Sequence, residues 1–185
     1  MTKTAFEYID DIYKIVGNQN YNYIKSAPNL INLENEIKNI RLEKNAYYYQ
    51  LLFTIEYFIH LSHCEITPYK TLLPKNQSLF YNFTKSISLD NNNPPLEYLF
   101  ALYLYKSGDF SSAKKHFSQI DKKYYLDLDV IEQLYKMEEL IICCKIFLDE
   151  INEEEILKFF KEIRNNDDST FPAELIETLL QNQKY

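Results

Sequence analysis

The sequence predicts an all-α protein, and three observations carry that prediction. Only two residues are glycine, Gly17 and Gly108, so tight hairpins and phosphate-cradling loops lack the residue that adopts positive φ without strain. Apolar residues recur at three- and four-residue spacing along the whole chain, and no run sustains two-residue alternation. Asn, Ser or Thr repeatedly precedes an apolar stripe, as a helix N-cap does. A chain of 185 residues with 46% hydrophobic and 25% charged side chains is long enough for a substantial core and ordinary in composition. The connections are mostly short and no linker divides the stripes, so the expectation is a single domain over 1–185. Its helical N-terminal half is about 1–90, and a second half covers about 94–185.

The elements follow in order. Phe6, Ile9, Tyr13 and Val16 share one face of a first helix over about 4–16, with Gly17 as its stop. The polar stretch from Asn18 to Asn29 has a small apolar patch at Tyr21 and Ile24 and room for a helical turn or two. Asn29, after Pro28, can cap a second helix carrying Leu30, Leu33, Ile37 and Ile40. The segment 46–64 is apolar nearly all round, which predicts a helix covered on several sides at the centre of the N-terminal half. Thr67 and Pro68 give a cap followed by a first-turn proline, and Pro74 ends that segment. Asn76 caps a helix over about 77–88 facing inward with Leu79, Phe80, Phe83 and Ile87, and the run LDNNNPP is a loop. Two antiparallel helices joined at Ser107, Gly108 and Asp109 fill 94–120, followed by the connector DKKYYLD. A long helix over about 128–148 carries Ile131, Leu134, Ile141, Cys144 and Leu148. Asn152 caps the next, to about Arg164, with Ile156, Phe159, Phe160 and Ile163 inward. Ser169 or Thr170 caps the last helix, near Pro172, with Leu175, Ile176, Leu179 and Leu180 inward.

The stretch 94–120 resembles a tetratricopeptide repeat. Ala101 and Ala113 stand at the small crossing positions, Gly108 at the turn, and Phe110 and Phe117 at aromatic positions, with Phe100 and Leu104 at apolar ones. Ile120 replaces a usual small residue and the closing proline is missing. The repeat positions do not carry across one period later, where Ile142 and Tyr135 fall in place of Gly108 and Ala101. The resemblance implies about eight or nine helices in antiparallel hairpins stacked as a short α-solenoid. It also implies a scaffold or peptide-binding role for a concave surface.

Bulk properties exclude several functions. A net charge of −7 disfavours nucleic-acid and anionic-membrane binding. The beginning MTKTAFEYIDDIYK carries acids where a secretion signal needs an apolar core. Three cysteines, Cys143 and Cys144 adjacent, do not make a disulfide framework, and a cytoplasmic location with reduced thiols is the simpler expectation. The run Ala46 to Leu61 is interrupted by Gln50, Glu56 and His60, which suits a buried helix better than a membrane span. Glu56, His60, His63 and Cys64 share a helix face with ligand types that suit zinc, but a polar helix end explains the same letters and His116 lies far along the chain. Cys64, Cys143 or Cys144 as nucleophile would need a histidine partner, and IICCKIF reads as an apolar helix. No phosphate loop, dinucleotide fingerprint or serine elbow occurs. The expectation is a non-enzyme with no cofactor and no metal.

Charge is distributed unevenly. Residues 1–120 hold 12 basic and 11 acidic side chains, whereas 121–185 hold 8 basic and 16 acidic. Asp149, Glu150, Glu153, Glu154 and Glu155 form one acidic cluster, and Asp167 and Asp168 a second. Part of this is helix-start chemistry, yet a one-sided acidic field speeds association with a basic protein. The most concrete expectation is an immunity or antitoxin protein that neutralises a basic, nuclease-type bacterial toxin. The alternative is a tetratricopeptide-type chaperone or scaffold holding a client peptide on an aromatic face near Tyr98, Tyr105 and His116. Tyrosine is abundant, with 17 in the chain, and suits such surfaces because it is large, rigid and amphipathic.

Overall fold

The computed structural model describes residues 3–63, 73–128, 131–166 and 172–182. Among the described residues the chain is all-helical, with ten helices and no strand. Contacts gather it into two compact units, Met1–Leu99 and Phe100–Tyr185, and the division falls within one helix.

In the N-terminal unit, α1 (Ala5–Asn18), α2 (Tyr23–Asn39) and α4 (Gln77–Leu89) all pack on α3 (Ala46–His63). The apolar sequence of α3 makes this so: Leu51, Phe53, Ile55, Tyr57 and Leu61 are all buried, on more than one side of the helix. Its buried polar atoms are matched. The Thr54 hydroxyl donates to the Gln50 carbonyl at 2.8 Å, Asn93 Nδ2 donates to Gln50 Oε1 at 2.9 Å, and Ser86 Oγ donates to the Ala46 carbonyl at 2.9 Å.

Helix ends depart from the sequence expectations in a consistent way. Thr4 and Glu7 form a reciprocal cap on α1: Glu7 N–H donates to Thr4 Oγ1 at 3.3 Å, and Thr4 N–H donates to Glu7 Oε2 at 2.7 Å. The Thr4 backbone N–H, followed by its side chain, holds the Glu7 carboxyl below the usual range. With the folded value depressed, the stability the cap contributes is fully present above the ordinary carboxylate pKa and is lost as pH falls from there through the lower folded value. Gly17 does not stop α1. The helix runs through it and closes at Asn20, whose φ is 51°, with Asn20 N–H donating to the Gly17 carbonyl at 2.9 Å and Tyr21 N–H to the Val16 carbonyl at 3.0 Å. The buried face of α1 is Ala5, Tyr8, Ile9, Ile12 and Val16, whereas Phe6 and Tyr13 are exposed and rest edge-on against Tyr47 and Phe58. Asn29 is not a cap. α2 begins seven residues earlier, where Asn22 Oδ1 accepts from Lys25 N–H at 3.0 Å, and Pro28 lies inside the helix. The interior proline removes one intrahelical bond, and a sequence reading overweights it because tertiary burial of Leu30, Leu33 and Ile37 holds the helix together. Asn76 caps α4 as expected, its Oδ1 accepting from Ser78 N–H at 2.9 Å.

The helix α5 (Pro94–Lys106) starts at Asn93, whose Oδ1 accepts from Leu96 N–H at 3.1 Å. In the C-terminal unit it ends at Gly108, with φ 79°; Gly108 N–H donates to the Tyr105 carbonyl at 3.0 Å and Asp109 N–H to the Leu104 carbonyl at 3.0 Å. Asp109 then caps α6 (Phe110–Gln119) through Ser112 N–H at 3.2 Å. Ala101 and Ala113 are fully buried, and the Phe100 ring meets the His116 ring edge-on at 5.0 Å. The connector DKKYYLD contains a short helix instead, α7 (Lys122–Asp127), capped by Asp121. α6, α7 and α10 (Ala173–Asn182) all pack on α8 (Ile131–Phe147), and α9 (Glu153–Asn166) follows a tight turn. Phe110 and Phe147 stack at 4.2 Å between α6 and α8.

Two features of α8 were not expected. It stops on Asp149, a non-glycine residue at φ 59°, with Asp149 N–H donating to the Ile146 carbonyl at 3.1 Å and Glu150 N–H to the Lys145 carbonyl at 2.8 Å. Glu139, only 4% exposed, accepts Leu175 N–H at 2.9 Å and so caps α10 from a neighbouring helix, while Lys136 Nζ pairs with its other oxygen at 2.8 Å. Leu175 and Thr178 face inward from α10, but Leu180 is exposed rather than buried. The expected caps Thr67, Ser169 and Thr170 lie outside the described residues.

The same pair of closing hydrogen bonds thus ends α1, α5 and α8, with Asn, Gly and Asp at the left-handed position. Gly108→Ala is expected to cost about 1 kcal/mol, because Cβ is disfavoured in the left-handed region. Asp149→Gly is expected to raise stability by about 0.5–1 kcal/mol for the converse reason. Urea unfolding followed by circular dichroism measures both. Glu139→Ala, which leaves the Leu175 N–H buried without its acceptor, is expected to cost about 2 kcal/mol in the same assay, and Glu139→Gln less, because it keeps an acceptor oxygen.

Candidate functional site at the turn between α8 and α9

The acidic cluster of the C-terminal unit is built by two helix ends meeting. Asp149 holds the left-handed position, and Glu150 follows it and pairs with Lys114 of α6. Asn152 Oδ1 accepts Glu155 N–H at 2.9 Å and so caps α9, which places Glu153, Glu154 and Glu155 in the first turn, where the helix dipole favours negative charge. Glu155 pairs with Lys145 at 3.0 Å. Glu153 and Glu154 are exposed and make no ion pair among the described residues. Structure therefore divides the five acids: Asp149 serves the backbone, Glu150 and Glu155 are paired within the unit, and Glu153 and Glu154 remain directed to solvent. Asp167 and Asp168 lie outside the described residues.

Beside this corner a groove of about 400 Å³ runs between α8 and α9, with Lys122 of α7 at its edge. Glu138, Ile141, Ile142 and Lys145 are one face of α8, and Glu155, Lys158, Phe159 and Glu162 are one face of α9; each set has the three- and four-residue spacing that aligns side chains along a helix. The floor is Ile141, Ile142 and Phe159. The rim is three ion pairs: Lys122 with Glu138 at 2.6 Å, Lys145 with Glu155 at 3.0 Å, and Lys158 with Glu162 at 3.8 Å. Sequence reasoning missed this groove. Its signal is an Ile-Ile pair bracketed by Glu and Lys at 138–145; the spacing places Ile141 in the core stripe, but Leu134, Met137, Leu140, Cys143, Cys144 and Ile146 are the buried apolar residues of α8, while Ile141 and Ile142 are half-buried.

The other singled-out residues lie elsewhere. Tyr105 is a core residue, not a surface one. Its hydroxyl is hydrogen-bonded to Thr178, and burial drives its pKa far above the ordinary value. Tyr98 is half-buried and belongs to the N-terminal unit, and His116 is half-buried against Phe100. Glu56 is engaged by α4 and the residue before it. It accepts from Asn76 Nδ2 at 3.2 Å, Ser78 Oγ at 2.8 Å and Asn82 Nδ2 at 3.3 Å, and so fastens α3 to α4. His60 Nε2 lies 3.1 Å from the Pro74 carbonyl and His63 Nδ1 lies 2.8 Å from the Ile59 carbonyl, while Cys64 is outside the described residues. Among the described residues no group of three or more His, Cys, Asp or Glu is placed to hold a metal ion. No helix among them is long and apolar enough to cross a membrane.

Compared with known proteins, no family model, curated protein or solved structure matches the chain.

Cys143 and Cys144 are buried, and burial pushes both thiols up to about 12. At pH 8 such a thiol is roughly one part in ten thousand thiolate, against about a quarter for an unperturbed one. In a Cys64→Ser variant the two remaining thiols are therefore expected to react with a disulfide reagent at least about a thousandfold more slowly than in the urea-unfolded chain. A stopped-flow thiol titration reads this directly.

Proposed function

We propose that this chain is a non-catalytic protein-binding module that captures a basic protein through the acidic corner between α8 and α9. Its most concrete form is a cytoplasmic immunity or antitoxin protein that neutralises a nuclease-type bacterial toxin. The observation that carries the reading is the exposed, unpaired Glu153 and Glu154 in a unit that holds nearly all the excess negative charge of the chain. A nuclease is basic where it meets phosphate, so an acidic inhibitor is matched to it. A binding role accords with the chemistry of the thiols, which are buried and protonated, and with a Glu56 carboxylate that is spent on interhelical hydrogen bonds.

A second reading keeps the same fold with a different working face. The α5–α6 hairpin, with buried Ala101 and Ala113 and a left-handed Gly108, favours a tetratricopeptide-like α-solenoid of stacked hairpins. Such a stack would act as a chaperone or scaffold for an extended client segment. Tyr105 would then serve the core, and Tyr98 would be the aromatic contact.

The test is co-expression of the chain with the products of adjacent genes, followed by stopped-flow association of any complex at several salt concentrations. For the first reading, Glu153→Lys with Glu154→Lys is expected to slow association about tenfold or more at low salt, with the difference shrinking as salt rises. Association unchanged by the double reversal but weakened by Tyr98→Ala would favour the second reading.

A further inference from the structure

The groove between α8 and α9 is distinct from the acidic corner, and it has the wrong surface for a purely electrostatic contact. Its floor, Ile141, Ile142 and Phe159, is apolar, and its volume of about 400 Å³ accommodates two or three aliphatic side chains rather than a single one. The rim carries three lysines and three glutamates, each paired with another rim residue. Exposed pairs of this kind are each worth no more than about 1 kcal/mol, so they can exchange partners with an incoming charged segment. One end of the groove is closed by Lys145 and Glu155, directly next to the turn that bears Glu153 and Glu154. A ligand lying along the groove therefore meets an apolar trough in its middle and a net acidic field at that end.

We infer that this groove binds an amphipathic helix of the partner protein, seating leucine or isoleucine side chains at i and i+3 or i+4 on Ile141, Ile142 and Phe159, with the lysines or arginines of that helix directed to Glu153 and Glu154. The inference rests on the reading that the partner is basic, and it adds how specificity is obtained. Charge brings the partner in, and the apolar trough selects a helix face over any other cationic surface. The groove is open along its length, between two helices, which is the shape that a third helix fills.

Two 16-residue lysine/leucine peptides of identical composition test it. In one, the leucines lie on a single helix face; in the other they are distributed around the helix. Fluorescence anisotropy with the full chain is expected to give at least a tenfold lower Kd for the one-faced peptide. Ile142→Lys, and independently Ile141→Gln, are expected to remove that preference while leaving the helical circular dichroism unchanged. Glu153→Lys with Glu154→Lys is expected to weaken both peptides equally. Equal affinity for the two peptides in the native chain overturns the groove but leaves the acidic corner as a site. Absence of binding by either peptide overturns both. If sedimentation shows the chain self-associating, and Ile142→Lys makes it monomeric, the groove is filled by a second copy and the inference fails while the acidic corner stands.

Discussion

The C-terminal unit depends on one backbone residue. At Asp149 the chain takes a left-handed conformation, and that single φ of 59° ends α8, reverses the chain and starts α9 within a few residues. A residue with Cβ is disfavoured there, but aspartate is among the few that tolerate it, because its short polar side chain can bond locally. The turn brings the C-terminal end of one helix, where negative charge is unfavourable, against the N-terminal end of the next, where it is favourable. Lys114 answers Glu150 on the first side, and Lys145 pairs with Glu155 on the second. Glu153 and Glu154, on the second side, need no such partner and stay open to solvent.

That constraint also makes the groove. Because the turn is short, one face of α8 and one face of α9 line the same groove, with Ile141, Ile142 and Phe159 at the bottom and charges at the edges. The opposite side of α8 is committed to the core, where Met137, Leu140, Cys143, Cys144 and Ile146 are buried under α6 and α10. Glu139 fixes α10 in place with a carboxylate oxygen on its first turn. α8 is thus buried on the face that α6 and α10 cover and half-exposed on another, which is why its apolar sequence read as an undivided stripe.

Most of the helices were legible from spacing and caps. Asn76 and Asn152 cap the helices expected of them, Thr4 and Asp109 are caps that the spacing does not single out, and Ala46–His63 is the helix around which the N-terminal unit packs, as its apolar sequence implies. Punctuation by Gly and Pro held at Gly108, which ends α5, and failed at Gly17 and Pro28. With two glycines available, the chain ends α1 on Asn20 and α8 on Asp149, and it carries Pro28 within α2 because burial outweighs the missing bond. Face assignment failed where aromatics pair at the surface, as Phe6 and Tyr13 do, and at Tyr105, whose polar tip finds Thr178 inside the unit. Of the candidate site, the acidic letters were legible. Their division into paired and unpaired groups was not, because Lys114 is distant in sequence from Glu150 and only the fold brings them together.

The central claim is that the working surface is the corner and groove of α8 and α9. Carboxyl footprinting by mass spectrometry, on the chain alone and in complex with a co-purified basic partner, tests it most directly. The account predicts protection on binding at Glu153, Glu154 and Glu155, with Glu34, Glu43 and Asp90 labelled as in the free chain. Protection confined to those three N-terminal carboxylates, with Glu153 and Glu154 labelled as before, would contradict it.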